Sequence, residues 1–451
     1  MNWTIACDRR PLTGLMASLL LSVSMVQAAP MAGAYIVGDG WNTANISQFK
    51  QDSAKPMAVV NFFTSFDYNW SNQLKYQTSN IVAQGATPMI TLMPVISARR
   101  VNLLSEITAG QWNSYLDTWI AGLKNWQNQY PIANRPTIML RFAHEFNGNW
   151  YPWGNDPDGL RAAWRYVHAR FAAAGVHHVE WVWCINNVNV DNYNDVTRYY
   201  PGDDVVDWTS IDGYNWGSNY SFSRWKSFDE TFSVPYLKLV TTFVNKPIVL
   251  AEVGSTEPSD TPRATYGQTG DNTDANQSKA AWVSDMYSRI PLQYLAIKAV
   301  SWFNVNKELS WALNGTAQNG LPNTGMDQYR QAMASGAYTG VFSPMVGGTM
   351  TWTNPHVRRR MLTVRPQESW RDVHYWQALW ADKTHATRSA SRLRCEITRQ
   401  ISVFERLPIA VGGALLESER GGMSLIQGHL RRSRLDARLD DIAAEVATYA
   451  R

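Results

Sequence analysis

The sequence predicts an α/β protein built as a (β/α)8 TIM barrel, and three observations carry that prediction. Eight short β-like runs recur between residues 34 and 304. Helical patterns fall between them, so strand and helix alternate along the chain. Several runs are apolar nearly throughout, as in Met57-Ala58-Val59-Val60 and Ile248-Val249-Leu250-Ala251; strands buried on both faces of a parallel sheet read this way. A doubly wound open sheet is the alternative. Against it, Gly38-Asp39-Gly40 after the first run lacks the third glycine of a phosphate-cradling loop and continues into Trp41.

The runs cover residues 34–38, 56–63, 87–93, 137–145, 178–186, 206–214, 247–254 and 297–304. The clearest helix has Trp112, Tyr115, Leu116, Trp119, Ile120, Leu123 and Trp126 on one face. A second places Leu160, Ala163, Trp164, Val167 and Phe171 together and stops near Gly175. A third spans 279–288. The barrel domain is therefore expected over 30–340, followed by a Gly/Thr-rich linker at 336–353.

Both ends of the chain read differently. Arg9 and Arg10 precede an apolar stretch from Leu12 to Val26, and Val26-Gln27-Ala28-Ala29-Pro30 offers a small-residue cleavage site after Ala28. Residues 1–28 are thus expected to be a signal peptide, and the mature protein secreted or periplasmic. No other stretch is long and apolar enough to predict a membrane span. Residues 346–451 carry 16 Arg and one Lys against 11 acids. They show no strand rhythm and only one helical pattern, at 425–446, so they are expected to be an Arg-rich tail, disordered or partly helical.

Composition excludes several classes. Charged residues are 17% and apolar residues 45% of the 451, which excludes a polyelectrolyte or disordered chain. Cys7, Cys184 and Cys395 are too few for a disulfide scaffold or a cysteine-rich zinc module. A net charge of +4 gives no argument for nucleic acid. The 21 Trp exceed what core packing demands; Trp41, Trp70, Trp150, Trp153, Trp216 and Trp302 fall near strand ends, where flat apolar faces suit sugar rings.

In this barrel the C-terminal strand ends carry chemistry. Reading them gives Glu145, Asp212, Tyr214, Glu252 and Trp302. Two glutamates ending apolar strands are costly to bury without purpose. Two opposed carboxyls are what glycosidic cleavage needs, one donating a proton to the leaving oxygen and one meeting the cationic sugar carbon.

These segments resemble glycoside hydrolase family 26. Leu140-Arg141-Phe142 with His144-Glu145-Phe146-Asn147-Gly148-Asn149-Trp150 is similar to its acid/base segment. Asp207-Trp208 with Asp212-Gly213-Tyr214-Asn215-Trp216 is similar to its sixth strand, and residues 247–254 to its nucleophile strand. The resemblance covers about residues 34–335. It implies a clan A barrel and a retaining endo-β-glycanase, with Glu145 as acid/base and Glu252 as nucleophile, and no metal or cofactor. It implies Tyr214 as hydrogen-bond partner of the nucleophile and Trp302 as the platform under the sugar at the cleavage point. Arg141, four residues before Glu145, is placed on its face by strand alternation and would hold a catalytic carboxylate ionised. His144 and Asn147 are expected at the acid or the sugar, and Trp150 and Trp153 against sugar rings.

The polymer is less defined. Mannanases of the family carry a Trp-His pair after the third strand; here that stretch reads Thr91-Leu92-Met93-Pro94-Val95. Residues 199–204 with Val206-Asp207-Trp208 look instead like members acting on mixed-linkage β-glucan. The expectation is β-1,4-mannan, with mixed-linkage glucan or a bacterial exopolysaccharide as alternatives and a non-catalytic carbohydrate-binding barrel as the rival from another class. The partner expected is the polysaccharide, acted on by a monomer. His177-His178 reads as a surface turn, and Asp203-Asp204 as a loop with a weak claim on a cation.

Overall fold

The computed structural model describes residues 28–190, 195–220, 222–258, 274 and 276–344, and two short strands at 409–411 and 414–416. The expected signal peptide, apart from Ala28, lies outside the described residues. So does the Arg-rich tail, 425–446 included, apart from those strands, which form an antiparallel pair where no strand was expected.

Eight parallel strands close into a barrel in sequence order. They are β1 (Met31–Ile36), β2 (Val59–Ser65), β3 (Thr87–Met93), β4 (Ile138–Phe142), β5 (Val179–Asn186), β6 (Trp208–Asn215), β7 (Ile248–Ser255) and β8 (Ile297–Asn304). The helices are α1 (Thr43–Ser53), α2 (Lys75–Ala83), α3 (Leu104–Thr108), α4 (Asn113–Gln127), α5 (Pro157–Ala173), α6 (Phe228–Thr242), α7 (Lys279–Gln293) and α8 (Met326–Ala334). On α4 the expected stripe is the buried one: Leu116, Trp119, Ile120, Leu123 and Trp126 pack inward. Helix α5 starts where Asp156 accepts from the Gly159 N–H and Pro157 opens the first turn.

The barrel closes where β1 pairs with β8, from Met31 opposite Ala299 to Ile36 opposite Asn304. The chain after α8 returns to this seam. The Ala32 N–H donates to the Thr339 carbonyl (2.8 Å) and the Thr339 N–H to the Pro30 carbonyl (2.9 Å), while Phe342 packs against the barrel floor.

That floor is apolar: Met31, Val59, Met89, Met139, Val182, Trp208 and Val249 fill it. Two residues further along four of those strands the lining turns polar, with Asn61, Thr91 and Arg141 buried on β2, β3 and β4 and the Cys184 thiol on β5. Inward side chains recur every second residue of a strand, so one step of the pleat carries the interior from packing to chemistry. Aromatic rings then crowd the mouth, where Phe303, Trp311 and Tyr220 pack with Tyr35, Phe63, Tyr214 and Trp216.

Candidate active site

Arg141 is the hub of the polar layer and is fully buried. Its Nη1 donates to Asp212 Oδ2 and its Nη2 to Glu252 Oε1, each at 2.5 Å. Its Nε donates to Thr91 Oγ1 (2.8 Å), whose hydroxyl donates in turn to Asn61 Oδ1 (2.9 Å). A guanidinium is a rigid planar fork of donors. Held from β3, it bridges carboxylates from β6 and β7 with one charge.

Strict alternation along β7 would aim Glu252 outward with Ile248 and Leu250, which pack in the outer core. The register prevents this. Ser210 sits opposite Val249 and Asp212 opposite Glu252, so β7 takes three steps where β6 takes two. The extra residue is a β-bulge. It leaves Ala251 in the interior cluster and turns Glu252 inward beside it. The Tyr214 hydroxyl donates to Glu252 Oε2 (2.6 Å), so both carboxyl oxygens are held.

Glu145 reaches the same layer by another route. Strand β4 ends at Phe142, before the expected 145, and the chain turns through left-handed Ala143 (φ 48°) and Glu145 (φ 53°). Arg141 and Glu145 are therefore brought together by this turn and not by alternation. The turn continues the barrel's bonding, with the Ala143 N–H to the Leu92 carbonyl (3.1 Å) and the Glu145 N–H to the Cys184 carbonyl (3.0 Å). Non-glycine residues in this region are strained and persist only where surroundings fix them. Each carboxyl oxygen of Glu145 accepts one N–H: Asn186 Nδ2 on Oε1 and Trp150 Nε1 on Oε2, both at 2.7 Å. Gly148 makes the second possible, since a Cβ there would lie 2.4 Å from the Trp150 ring. Burial, then the Glu252 charge, pushes Glu145 up to about 7, against the pull of Asn186, Trp150 and Arg141.

Asp212 is also pushed above the usual carboxylate range, by burial and by the charges of Glu252 and Glu145, against the pull of Arg141. His144 is buried and pushed well below the usual histidine range by burial and by Arg141 and Lys307, so its ring is neutral. Its Nε2 lies 3.0 Å from the Tyr151 hydroxyl, and its Nδ1 is buried without a hydrogen-bond partner. Asn147 is fully buried beside the end of β5. Its Nδ2 donates to the Asn186 and Val188 carbonyls and to Asn189 Oδ1, and its Oδ1 accepts from the Asn186 N–H. It therefore positions Asn186, which bonds the Glu145 carboxyl.

Two expected sugar platforms are elsewhere. Trp153 is fully buried, stacked on Tyr151 at 4.5 Å, with its Nε1 on the His144 carbonyl (2.8 Å). Trp302 is fully buried in the layer between barrel and helices, against Trp282, and its Nε1 donates to the Trp311 carbonyl. On β8 the inward neighbour is Phe303, which packs at the mouth. Both indoles are shut off from a ligand, and Trp70 is buried likewise. Trp41 and Trp150 are exposed, and Trp216 is partly so.

Residues 98–280 match the family described as Glycosyl hydrolase family 26. A second comparison agrees: Endoglucanase H of Acetivibrio thermocellus is 30% identical over 67% of this chain and 30% of that protein. The chain belongs to glycosyl hydrolase family 26. Mannan endo-1,4-beta-mannosidase A and B of Caldalkalibacillus mannanilyticus is a further relative, 28% identical over 37% of this chain and 30% of that protein. A solved Bacillus subtilis mannanase aligns at TM-score 0.45 and 17% identity, over 70% of this chain and 87% of that one. This family 26 chain spans 30% of the length of each of these two curated relatives.

Three members of the family 26 site escaped sequence reasoning. Asn186 ends an apolar strand, the same signal that singled out Glu145, yet a terminal Asn reads as an ordinary turn residue. Tyr151 and Thr91 gave no signal beyond their neighbours. Donor atoms of His144, Asp212 and Glu252 lie within 4.8 Å of one another. Arg141 already supplies positive charge to both carboxylates of that group.

Proposed function

We propose that this chain is an exported, retaining endo-β-glycanase that hydrolyses internal β-linkages of a polysaccharide, β-1,4-mannan first among candidates. The observation that carries the proposal is the pair of buried glutamates in unlike settings. Glu252 offers oxygens held by Arg141 and Tyr214, and Glu145 keeps a proton to about neutral pH. In the first step a Glu252 oxygen attacks the anomeric carbon while Glu145 gives its proton to the departing glycosidic oxygen. A glycosyl ester forms and the leaving chain departs with a new hydroxyl. In the second step Glu145, now ionised, takes a proton from water, whose oxygen attacks the same carbon and releases Glu252. Two inversions retain the anomeric configuration.

No helix among the described residues is long and apolar enough to cross a membrane, and export rests on the N-terminal sequence pattern. The test of roles uses an aryl glycoside with a good leaving group. Glu252→Ala should lose turnover on every substrate. Glu145→Ala should lose it on polysaccharide and keep most of the first step on the aryl glycoside, which needs no proton. Equal failure of both variants on the aryl glycoside overturns the assignment.

A second reading, a β-glucan as polymer, is favoured by one observation: the relative named an endoglucanase aligns over 67% of the chain, whereas the mannosidase above aligns over 37%. Reducing-sugar release over mannan, mixed-linkage glucan, xylan and a bacterial exopolysaccharide decides between them. NMR of the first-formed anomer checks retention.

A further inference from the structure

The mechanism leaves the loop between β1 and α1 unused, and that loop is built unlike an ordinary connection. Gly38, Asp39 and Gly40 are all left-handed, with φ of 101°, 47° and 78°, a conformation that strains Asp39. The loop is fastened from α2, where Gln77 Nε2 donates to the Asp39 carbonyl (2.7 Å) and Asn80 Nδ2 to the Gly40 carbonyl (3.0 Å). It presents two things. The first is the exposed Trp41 indole, stacked on the exposed Tyr76 ring of α2 with centroids 6.3 Å apart and planes at 28°. The second is the Asp39 carboxylate, which accepts from the Phe63 N–H (3.3 Å) and bonds the Tyr35 side chain.

These groups join the cleavage site without a break. Tyr35 stacks on Phe303 (4.8 Å) and meets the edge of Phe63 (5.3 Å). Phe63 lies under the Arg141 guanidinium (5.4 Å) and against the His144 ring (5.9 Å). Strand direction puts Trp41 and the start of α2 on the rim of the same barrel end as Glu145 and Glu252. Two half-exposed aromatic rings, Trp41 and Tyr76, the second with Lys75 Nζ 4.7 Å over it, stand beside a carboxylate with acceptor capacity and suit a pyranose chain: C–H groups for the free ring surface and hydroxyls for the oxygen.

We infer that the β1–α1 loop is a further sugar-binding site on the rim of the barrel mouth, in which Trp41 and Tyr76 stack on rings of the bound polysaccharide and Asp39 accepts hydrogen bonds from its hydroxyls. The inference rests on the carbohydrate reading above and adds a place to it. A site on the rim predicts a larger effect on long chains than on a disaccharide.

The test combines binding and kinetics in Trp41→Ala/Tyr76→Ala and Asp39→Asn, each checked for an unchanged melting temperature. Mobility is measured in native gels cast with soluble glucomannan or mixed-linkage glucan, and kcat/KM on those polymers and on an aryl β-disaccharide. The double variant should lose gel retardation. Its kcat/KM should fall about tenfold on polymer, and at least about fivefold more there than on the aryl disaccharide. Asp39→Asn should change the ratio of rates on the two polymers. Undiminished retardation, or equal losses on long and short substrates, overturns the site. If the parent protein cleaves nothing yet its retardation depends on Trp41 and Tyr76, the binding site stands and the hydrolase reading fails. If the parent is neither retarded nor active, both fail.

Discussion

Glu145 accepts an N–H on each oxygen, from Asn186 on a strand and from Trp150 on an exposed loop. Both donors favour the ionised form, while burial and Glu252 favour the protonated one. On the proposed role of Glu145 as proton donor, the balance near 7 sets a first expectation: kcat/KM on polysaccharide falls as pH rises through about 7. Trp150→Phe removes a donor to the anion, so the falling limb should move to higher pH by about one unit. A limb that stays in place shows that Trp150 does not tune the acid. Stability follows the same sign. The native carboxyl lies above its unfolded value, so its stabilising contribution is complete below about 4.5 and lost as pH climbs through about 7. Arg141 allows a second expectation. Arg141→Met leaves Asp212 and Glu252 buried without their shared cation and should lower unfolding free energy by about 3–5 kcal/mol, measured in urea. Arg141→Lys keeps the charge but not the fork, and should recover part of the stability and little of the activity.

At the scale of elements, the bulge in β7 makes an unusual expectation available. Deleting Ala251 would restore a regular strand in which Glu252 still faces inward opposite Asp212. That variant should fold, at a cost of about 1–3 kcal/mol, and retain measurable turnover. Deleting Leu140 from regular β4 would instead send Arg141 to the outer face and should leave no folded protein. Circular dichroism and the aryl glycoside assay separate the two. The same bulge shows where the sequence stopped being legible. All eight strands were readable because strands apolar on both faces stand out, and α4 because Leu116, Trp119, Ile120, Leu123 and Trp126 keep one helical face. The ends of β4 and β7 were not. A left-handed Glu145 and an extra step after Leu250 have no compositional mark, since each is fixed by the neighbouring strand's register. Tryptophans misled for a different reason. An indole is equally suited to a sugar and to a core, and Trp153 and Trp302 differ from Trp41 and Trp150 only in what packs over them.

At the scale of the whole molecule, the β1–β8 seam is clasped by the segment after α8. Tyr338 is buried with its hydroxyl on the Tyr287 carbonyl, Thr339 bonds both Ala32 and Pro30, and Phe342 caps the floor. Truncation after Ser343 should therefore leave melting temperature and rate unchanged, while truncation after Ala337 should lower stability by at least about 3 kcal/mol. A loss on truncation after Ser343 would mean that residues beyond 343 pack on the barrel.

The seam also imposes an order in time. A chain made from its amino end produces β1 first and the partner that closes the barrel last, so until residues 297–304 emerge the sheet is an open ribbon with two bare edges. Without its eighth wall such a ribbon cannot shut Arg141, Asp212 and Glu252 away from water. Closure by β8 is thus a condition for burying the acid cluster, and burial is the largest cause of the raised proton affinity of Glu145.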